Sequence, residues 1–356
     1  MGRSTDQREI NDAAARCDAP DFRIFERKKE SRENSRQAER GQEKGEVKVG
    51  LRCYLLWWAF EHRPYLNPVN SRLASGRFEV ISIIIPSLNR ASLERLLLSI
   101  AATVQTSELT YKRDVEVIVS FDSRVLRSLV LPPVFKFAKV TFADVPGVNS
   151  ARNAGARHSR GEVLWFLDDD TEIFDSSCFR ALSDAFIDPK VVAAGGNYRS
   201  PSDARFAERG YNALCSVWRH SAGVDDREQL LGGTFAVRKS AWSDVGGFDD
   251  RIAYGGTETS FVQRLTRHSK CWKLIADPRL DVIHRTGPRA LRDWAKVAYL
   301  QGRGKVSTKK SLPAATGRIS RSMTYLRKQD VRTLTTLAIF TVPFLVVSQV
   351  GSRASR

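Results

Sequence analysis

The chain has 356 residues, of which 42% are apolar, so it is long enough for one large or two ordinary domains with a substantial core. Its five cysteines include no C-x-x-C pair, which indicates neither a disulfide framework nor a zinc site and fits a reducing cytosol. The formal net charge of +17 lies mostly at the C-terminus, because residues 285–356 hold 15 Lys or Arg against two acids, a net of +13.

Two segments precede the first predicted strand. Residues 1–50 carry 12 basic and 11 acidic side chains with few aromatics, which predicts a disordered charged tail. They contain no sustained apolar stretch, so we predict no secretory signal and expect the N-terminus in the cytosol. Residues 51–77 hold the apolar segment CYLLWWAF and a linker. That segment is too short to span a bilayer, and we expect it to pack on the main domain rather than lie in a membrane interface.

Strands and helices then alternate. Short apolar runs at residues 78–86, 114–122, 136–144 and 161–170 predict four strands, and apolar periodicity predicts helices from Ala91 and over residues 147–158. This alternation is typical of an α/β fold, in which a mainly parallel sheet is flanked by helices on both faces. Between residues 198 and 230 the pattern is irregular, and an aromatic and basic mixture there suits either a sugar acceptor or lid packing.

Polar residues follow three of these strands. Pro86, Asp122 and the triplet Asp168, Asp169 and Asp170 all lie just past strand ends, and ligands of open parallel sheets bind beyond those ends. A carboxylate cluster needs a cation, for which Mg²⁺ or Mn²⁺ is suited, held by one or two carboxylates together with water and substrate phosphates. The sequence therefore predicts a metal and diphosphate site, and the alternative is an acidic loop that caps a helix near Asp175.

Four sequence blocks, taken in order, resemble those of a known family. ISIIIPSLNR, VEVIVSFDS, PGVNSARNAGARHSRGEVLWFLDDD and LLGGTFAVRKSAWSDVGGFDDRIAYGGTETSFVQRL resemble, in sequence, the blocks of family 2 glycosyltransferases with the GT-A fold. The resemblance covers residues 79–284. It implies a Rossmann-like nucleotide-diphospho-sugar transferase domain at residues 78–290, with a nucleotide-binding half at 78–172 and an acceptor half at 173–290. It also implies inverting, metal-dependent transfer from a nucleotide sugar, of which UDP-sugars are the most frequent in the family.

The resemblance implies roles for individual residues. Pro86 and Asn89 would border the base, with Asp122 at the base or ribose and Asp169 near the donor ribose. Arg152 and Asn153 would lie by the diphosphate, and Gly232 and Gly233 would let the donor sugar approach the backbone. The implied general base is Glu258, and the implied metal ligands are Asp168, Asp170 and His284. Some of these residues have plainer alternatives. Arg152 and Asn153 could be surface helix residues, and Gly232 and Gly233 could form a turn. Glu258 could be a first-turn helix acid, and His284 a structural histidine.

Two neighbours of the implied base depart from the family. Thr257 and Ser260 stand where the family usually has acids, although one carboxylate is sufficient for a single displacement. This departure keeps open a catalytically impaired scaffold. The basic composition raises a nucleic-acid-binding protein as a further alternative, but no recognisable binding module accompanies it, and we expect no nucleic-acid partner.

A basic extension, residues 291–356, follows the domain. Within it residues 333–350 are uncharged and mostly apolar, with Arg332 and Arg353 at the edges, which predicts a helix near the length that spans a bilayer. Basic residues beside it would be attracted to an anionic leaflet. We expect a cytoplasmic enzyme peripheral to, or anchored in, the inner or plasma membrane, with a helix packed on the domain as the alternative. A glycan or lipid-linked acceptor in cell-surface polysaccharide or glycoconjugate synthesis fits this location.

Overall fold

The computed structural model describes residues 80–107, 109–222, 229–252, 256–285, 291–304, 327 and 331–353. The predicted apolar runs form the centre of its seven-stranded sheet. The predictions for residues 1–50 and 51–77 lie outside the described residues. The strands are β1 (Ile81–Ser87), β2 (Val115–Phe121), β3 (Ala138–Phe142), β4 (Val163–Leu167), β5 (Thr171–Glu172), β6 (Val191–Gly195), β7 (Tyr198–Arg199), β8 (Thr234–Arg238), β9 (Lys273–Ala276) and β10 (Val282–His284).

The large sheet is mainly parallel. Its order is β3-β2-β1-β4-β8-β6-β9, and only β8 runs antiparallel to its neighbours. Every residue of β1, β2 and β4 is buried, because helices cover both faces, and this explains why these strands are continuous apolar runs. The predicted α/β fold is confirmed.

Helices connect and cover the strands. They are α1 (Ser92–Thr106), α2 (Val148–His158), α3 (Cys178–Ala185), α4 (Phe206–Ala222), α5 (Lys239–Asp244), α6 (Thr257–His268), α7 (Leu291–Gly304) and α8 (Val331–Arg353). Helix α4 occupies the region where the sequence pattern is irregular. Its buried positions include the polar residues Asn212, Ser216 and Arg219 beside Ala207 and Ala213.

The strand order creates a crevice between two central strands. From β1 the chain moves outward to β2 and β3, and it then returns to place β4 on the other side of β1. Such a reversal opens a crevice at the carboxyl ends of the two strands, which is where α/β sheets bind ligands. Ser87 ends β1 and Asp168 directly follows β4.

A small second sheet brings a distant segment to that crevice. Its order is β5-β10-β7, and β10 pairs antiparallel with β5 so that His284 lies opposite Thr171. The backbone N–H of Arg285 also donates to the carbonyl of Asp170 at 2.8 Å. This pairing fixes His284 beside the aspartate triplet.

The C-terminal helices pack against the part of the domain that follows β7. Helix α8 contains the apolar segment 333–350 and packs against α7 and α4. The ring of Trp294 in α7 meets Tyr211 in α4 edge to face, with centroids 5.3 Å apart. Within the described part of the chain, no helix combines the length and apolar character needed to cross a bilayer.

Candidate active site

An open cleft of about 610 Å³ lies at the carboxyl ends of β1 and β4. The segments that line it come from both halves of the domain and from α7. Most of the predicted site residues lie in its wall: Pro86, Asp122, Arg152, Asp168, Asp169, Asp170, Gly232, Glu258 and His284. The sequence motifs therefore converge on one cavity.

Asp169 is the most buried of the three aspartates. Its side chain is 2% exposed, and its Oδ2 accepts a hydrogen bond of 2.7 Å from the hydroxyl of Ser87. Arg90, from the turn after β1, contacts Asp169 at 3.4 Å and Asp170 at 3.0 Å. Burial outweighs the attraction of Arg90 and raises the pKa of Asp169 to about 6. Asp169 thus joins the turn after β4 to the end of β1.

Asp168 is held by a buried arginine. Arg152 projects from α2 with 3% of its side chain exposed, and its Nη2 donates to Asp168 Oδ1 at 2.8 Å and to the carbonyl of Gly232 at 3.0 Å. The guanidinium also lies over the ring of Phe248, 5.4 Å from its centroid. Arg152 is therefore an internal cation that fixes both the first aspartate and the Gly232 backbone.

Asp170 faces His284 across the cleft. His284 Nε2 lies 3.4 Å from Asp170 Oδ1. Burial opposes ionisation of Asp170, but His284 and Arg90 outweigh it and hold the pKa of Asp170 below its usual value. The ionised carboxylate is thus favoured at this position.

Asn212 of α4 determines the tautomer of His284. Its amide Nδ2 donates to the His284 carbonyl at 2.8 Å, so its Oδ1 must be the atom that faces His284 Nδ1 at 2.7 Å. A carbonyl oxygen only accepts, and Nδ1 consequently carries the hydrogen. Nε2 is therefore the ring nitrogen that faces Asp170, where it can carry either a hydrogen or a cation. A histidine that donates its other ring N–H to a protein acceptor is the usual arrangement of a metal ligand.

Asp170 and His284 fit a divalent cation. Nε2 of His284 and Oδ1 of Asp170 lie 3.4 Å apart, and imidazole and carboxylate are both ligands that Mn²⁺ accepts. The described residues include no group of three or more His, Cys, Asp or Glu side chains arranged to hold a metal by themselves. The remaining ligands would come from substrate phosphates and water, as is usual for Mg²⁺.

Glu258 lies on the same wall as Arg152. It occupies the first turn of α6, and its Oε2 accepts a hydrogen bond of 2.5 Å from the hydroxyl of Thr257. A β-carbon on Gly232 would lie 3.2 Å from Glu258 Oε2 and 3.0 Å from Arg152 Nη2. The carboxylate therefore borders a strip of backbone without side chains.

Gly233 continues that strip. Its N–H donates to the hydroxyl of Tyr198 at 2.8 Å. A β-carbon at Gly233 would lie 2.6 Å from that hydroxyl and 2.9 Å from Asp168 Oδ2, so no larger residue fits without displacement. Gly232 and Gly233 thus separate Glu258 from the aspartates by bare backbone.

Asp122 lines the cleft directly after the end of β2. Arg124 donates to both of its oxygens at 2.7 and 2.9 Å, and the N–H of Gly147 donates to Oδ2 at 2.8 Å. The hydrogen bonds from Arg124 are the main reason why the pKa of Asp122 falls to about 2. Asp122 stays ionised and holds the loop that leads into α2.

Two predicted residues besides Gly233 lie outside the cleft wall. Asn89 is exposed and adopts a left-handed backbone with φ of 59°, and its N–H donates to Ser87 Oγ at 2.9 Å. Asn153 uses its amide on the segment after α5: it donates to the Phe248 carbonyl and to Asp250 Oδ1, both at 2.9 Å, and accepts from the Phe248 N–H at 2.8 Å. Successive helix positions point about 100° apart, so Arg152 faces the cleft and Asn153 does not.

Several residues that complete the site belong to no recognisable sequence motif. Tyr198 stacks on His284 with centroids 4.0 Å apart, and burial raises its pKa well above the usual value. Tyr211, named in the sequence only as part of an aromatic and basic mixture, also lines the cleft, together with Asp293 and Lys296 of α7. Their positions depend on the small sheet and on helix packing, which no local motif encodes.

Comparison with known proteins finds one matching family and a number of solved structures with a similar fold. Residues 82–248 match the family described as Glycosyl transferase family 2. No curated protein matches the chain. Three solved structures are similar to it. One is a mannosyltransferase from Pyrobaculum calidifontis in complex with GDP-Man and Mn²⁺, at 15% identity and a TM-score of 0.47, covering 87% of this chain and 90% of that one.

The second similar structure is TarS 1-349 from S. aureus, at 14% identity and a TM-score of 0.44, covering 77% of this chain and 82% of that one. The third is glucosyl-3-phosphoglycerate synthase from Mycobacterium tuberculosis in complex with Mn²⁺, UDP and phosphoglyceric acid. It has 14% identity and a TM-score of 0.44, and it covers 64% of this chain and 78% of that one.

Proposed function

The chain carries a family 2 glycosyltransferase domain over residues 82–248, and on this premise we propose that it moves a sugar from a nucleoside-diphosphate donor to an acceptor hydroxyl with inversion at the anomeric carbon. The family match confirms the family and the enzyme class that the sequence predicts. The proposal adds the donor chemistry, the roles of the site residues and the stereochemical course.

The donor lies along the carboxyl ends of the strands. Pro86 and Asp122 border the base and ribose, with Asp169 fixed behind them by Ser87. The diphosphate lies near Arg152, whose guanidinium is already directed into the cleft by Asp168 and the Gly232 carbonyl. The sugar ring then passes over Gly232 and Gly233, where the backbone offers room.

Asp170 and His284 would hold a divalent cation, Mg²⁺ or Mn²⁺, with Asp168 contributing beside them. The support is the 3.4 Å approach of Asp170 Oδ1 to His284 Nε2, the ring nitrogen that Asn212 leaves available to bind a cation. When bound, such a cation neutralises negative charge on the departing diphosphate. Arg152 contributes to the same neutralisation from the opposite side of the cleft.

Glu258 is the general base. Its carboxylate removes the proton from the acceptor hydroxyl while that oxygen forms a bond to the anomeric carbon of the sugar. The bond from the anomeric carbon to the diphosphate breaks in the same step, and the nucleoside diphosphate leaves with the electron pair. Because attack comes from the side opposite the leaving group, the configuration inverts. Thr257 orients the carboxylate through its hydrogen bond of 2.5 Å.

One observation carries this proposal. Glu258 Oε2 lies 3.2 Å from the position that a β-carbon on Gly232 would occupy, and Asp168 Oδ2 lies 2.9 Å from that position on the adjacent Gly233. A base and a diphosphate-binding group along one bare backbone strip is an arrangement that suits a single displacement.

Donor, acceptor and location belong to the proposal as well. We favour a UDP-sugar donor and a glycan or lipid-linked acceptor in cell-surface polysaccharide or glycoconjugate synthesis. The C-terminal extension holds 13 Lys or Arg against two acids, a net charge of +11, which supports a location at the cytoplasmic surface of a membrane.

The test is donor binding by calorimetry with UDP-, GDP- and dTDP-sugars, with and without Mn²⁺. We expect Asp170→Asn to lose at least about tenfold of the Mn²⁺-dependent donor affinity. We expect Glu258→Gln to keep donor affinity while donor hydrolysis or transfer falls by about 10²-fold or more, because only the base is removed.

Matched controls change the same chemical groups outside the cleft. Asp144→Asn and Glu94→Gln alter exposed carboxylates and should behave as wild type. Donor affinity that is the same with and without divalent metal in every variant would contradict the metal assignment. Full transfer activity in Glu258→Gln would contradict the assignment of the base.

A further inference from the structure

Helix α8 presents apolar side chains to solvent. Leu334, Ile339, Leu345, Val346 and Val350 are between 38% and 56% exposed. Ala338 and Pro343 are exposed as well. A surface helix of a globular protein normally turns such residues toward the core, so this outward face is unusual and needs a physical account.

The inward side of α8 carries the smaller and more polar residues. Thr333, Thr336 and Ser348 are at most 8% exposed, together with Leu337. The hydroxyl of Thr336 is satisfied within the helix, since it donates to the Arg332 carbonyl at 2.7 Å. The described side chains of the helix thus include large apolar groups that are exposed and several hydroxyls that are buried.

The exposed apolar residues form a continuous surface. Positions 334, 338 and 345 form one row, with spacings of four and then seven residues. Positions 339, 346 and 350 form a second row, with spacings of seven and then four. At 3.6 residues per turn, these spacings place both rows on the same half of the helix. We call this surface the α8 outer face. No Asp or Glu occurs between residues 331 and 353.

Positive charge frames the α8 outer face. Arg332 and Arg353 lie at the two ends of the helix, and both are exposed. Arg327, before the helix, is exposed too. An apolar strip between basic ends complements a surface that is apolar inside and anionic at its rim, which is the chemistry of an acidic lipid bilayer.

We propose that α8 lies flat in the headgroup region of an anionic bilayer, with the α8 outer face directed toward the acyl chains. Pro343 supports the flat orientation. Because proline has no N–H, the carbonyl of Ile339 lacks its usual helical partner. Water can satisfy that carbonyl in the interface.

This contact would place the cleft beside the membrane. Helix α8 packs on α7, and α7 supplies Asp293 and Lys296 to the cleft wall. The acceptor most readily presented there is lipid-linked and carries its reactive hydroxyl near the headgroups. The acceptor clause rests on the proposed function, whereas the membrane contact itself does not.

The experiment is co-sedimentation of the full chain with phosphatidylcholine vesicles, with and without phosphatidylglycerol. Wild type should bind the mixed vesicles more tightly than the neutral ones. The double variant Ile339→Glu/Val346→Glu should bind the mixed vesicles roughly tenfold or more weakly, because it loses apolar contact and is repelled by anionic lipid. Val350→Glu, near the end of the helix, should give a smaller loss in the same direction.

The matched control is Val130→Glu/Ile187→Glu, which makes the same changes at residues that are 82% and 69% exposed elsewhere on the domain. It should bind vesicles as wild type does. Thermal unfolding followed by circular dichroism identifies any variant that fails to fold, in which case Val350→Glu decides the matter.

Three results would overturn the inference. Wild type could fail to bind mixed vesicles, or the α8 variants could bind them as tightly as wild type. Light scattering could instead reveal a dimer that Ile339→Glu/Val346→Glu dissociates, which would assign the α8 outer face to a second copy of the chain. Donor hydrolysis without vesicles is measured in parallel, so that a failed membrane contact is distinguishable from a failed glycosyltransferase assignment.

Discussion

Asn212 offers a direct test of how the candidate metal site is built. The side chain is 1% exposed and contacts both the Nδ1 and the carbonyl of His284, without reaching the cleft itself. Replacing it with leucine keeps the approximate volume but removes both hydrogen bonds. His284 would then be free to adopt the other tautomer or to rotate away from Asp170.

The structure gives the size of the effect. Asn212→Leu leaves two buried polar groups of His284 without partners, at about 1 to 3 kcal/mol each, so the free energy of unfolding should fall by about 2 to 6 kcal/mol. Loss of a hydrogen bond behind a metal ligand typically weakens metal binding by about 10- to 100-fold. This corresponds to about 1.4 to 2.8 kcal/mol.

The assay is Mn²⁺ titration in the presence of a nucleoside diphosphate, with urea unfolding measured on the same samples. Asn212→Asp is the informative control. Aspartate can accept the Nδ1 hydrogen but cannot donate to the His284 carbonyl. Metal affinity should therefore stay within about threefold of wild type, while stability still falls by about 1 to 3 kcal/mol.

The two readouts separate a positioning role from a purely structural one. Equal loss of Mn²⁺ affinity in both variants would mean that Nδ1 is irrelevant and that Asn212 acts only on stability. Unchanged Mn²⁺ affinity in Asn212→Leu would refute the placement of the cation at His284.

Three other changes should have measurable effects. Gly233→Ala places a methyl group 2.6 Å from the Tyr198 hydroxyl, so calorimetry should show donor affinity reduced at least about tenfold and stability lowered by about 1 to 3 kcal/mol. Arg152→Lys loses the planar guanidinium that lies over the Phe248 ring while its Nη2 holds the first aspartate and the backbone carbonyl, so initial rates should show kcat/KM reduced about tenfold or more, and a normal value would contradict that role. The pKa of Asp122 is lowered to about 2, so its stabilising contribution is present above pH 4 and is lost as the pH falls from 4 to 2. Urea unfolding should accordingly show a smaller loss of stability between pH 5 and pH 3 in Asp122→Asn than in wild type, whereas equal slopes would mean that the ion pair with Arg124 contributes nothing.

The donor side of the site was largely predictable because its residues follow long buried strands. Apolar runs fix the strands, strand ends fix the position of Asp122 and of the aspartate triplet, and parallel strands bring these ends to one edge. Even there the local pattern was incomplete. The sequence places Asn153 beside Arg152 at the diphosphate, but their side chains point in different directions from α2.

The acceptor side was less predictable because short elements build it. Strands β5, β7 and β10 have two or three residues each, too few for an alternating pattern. Tyr198 and Asn212 matter through their contacts with His284, and these contacts exist only once β10 and α4 are in place. Helix α4 was not predicted from the sequence, and its buried side includes polar side chains such as Asn212.

The pairing of β5 with β10 joins positions 113 residues apart, since Thr171 lies opposite His284. The nucleotide-binding half can therefore reach its native topology during synthesis well before the histidine has been made. Long-range closure of this kind is slow, and two short strands protect few amides from exchange. Ligand binding that spans Asp170 and His284 should then slow hydrogen exchange most strongly in this small ladder, far more than in the central sheet, which makes the ladder the part of the molecule where substrate completes the fold.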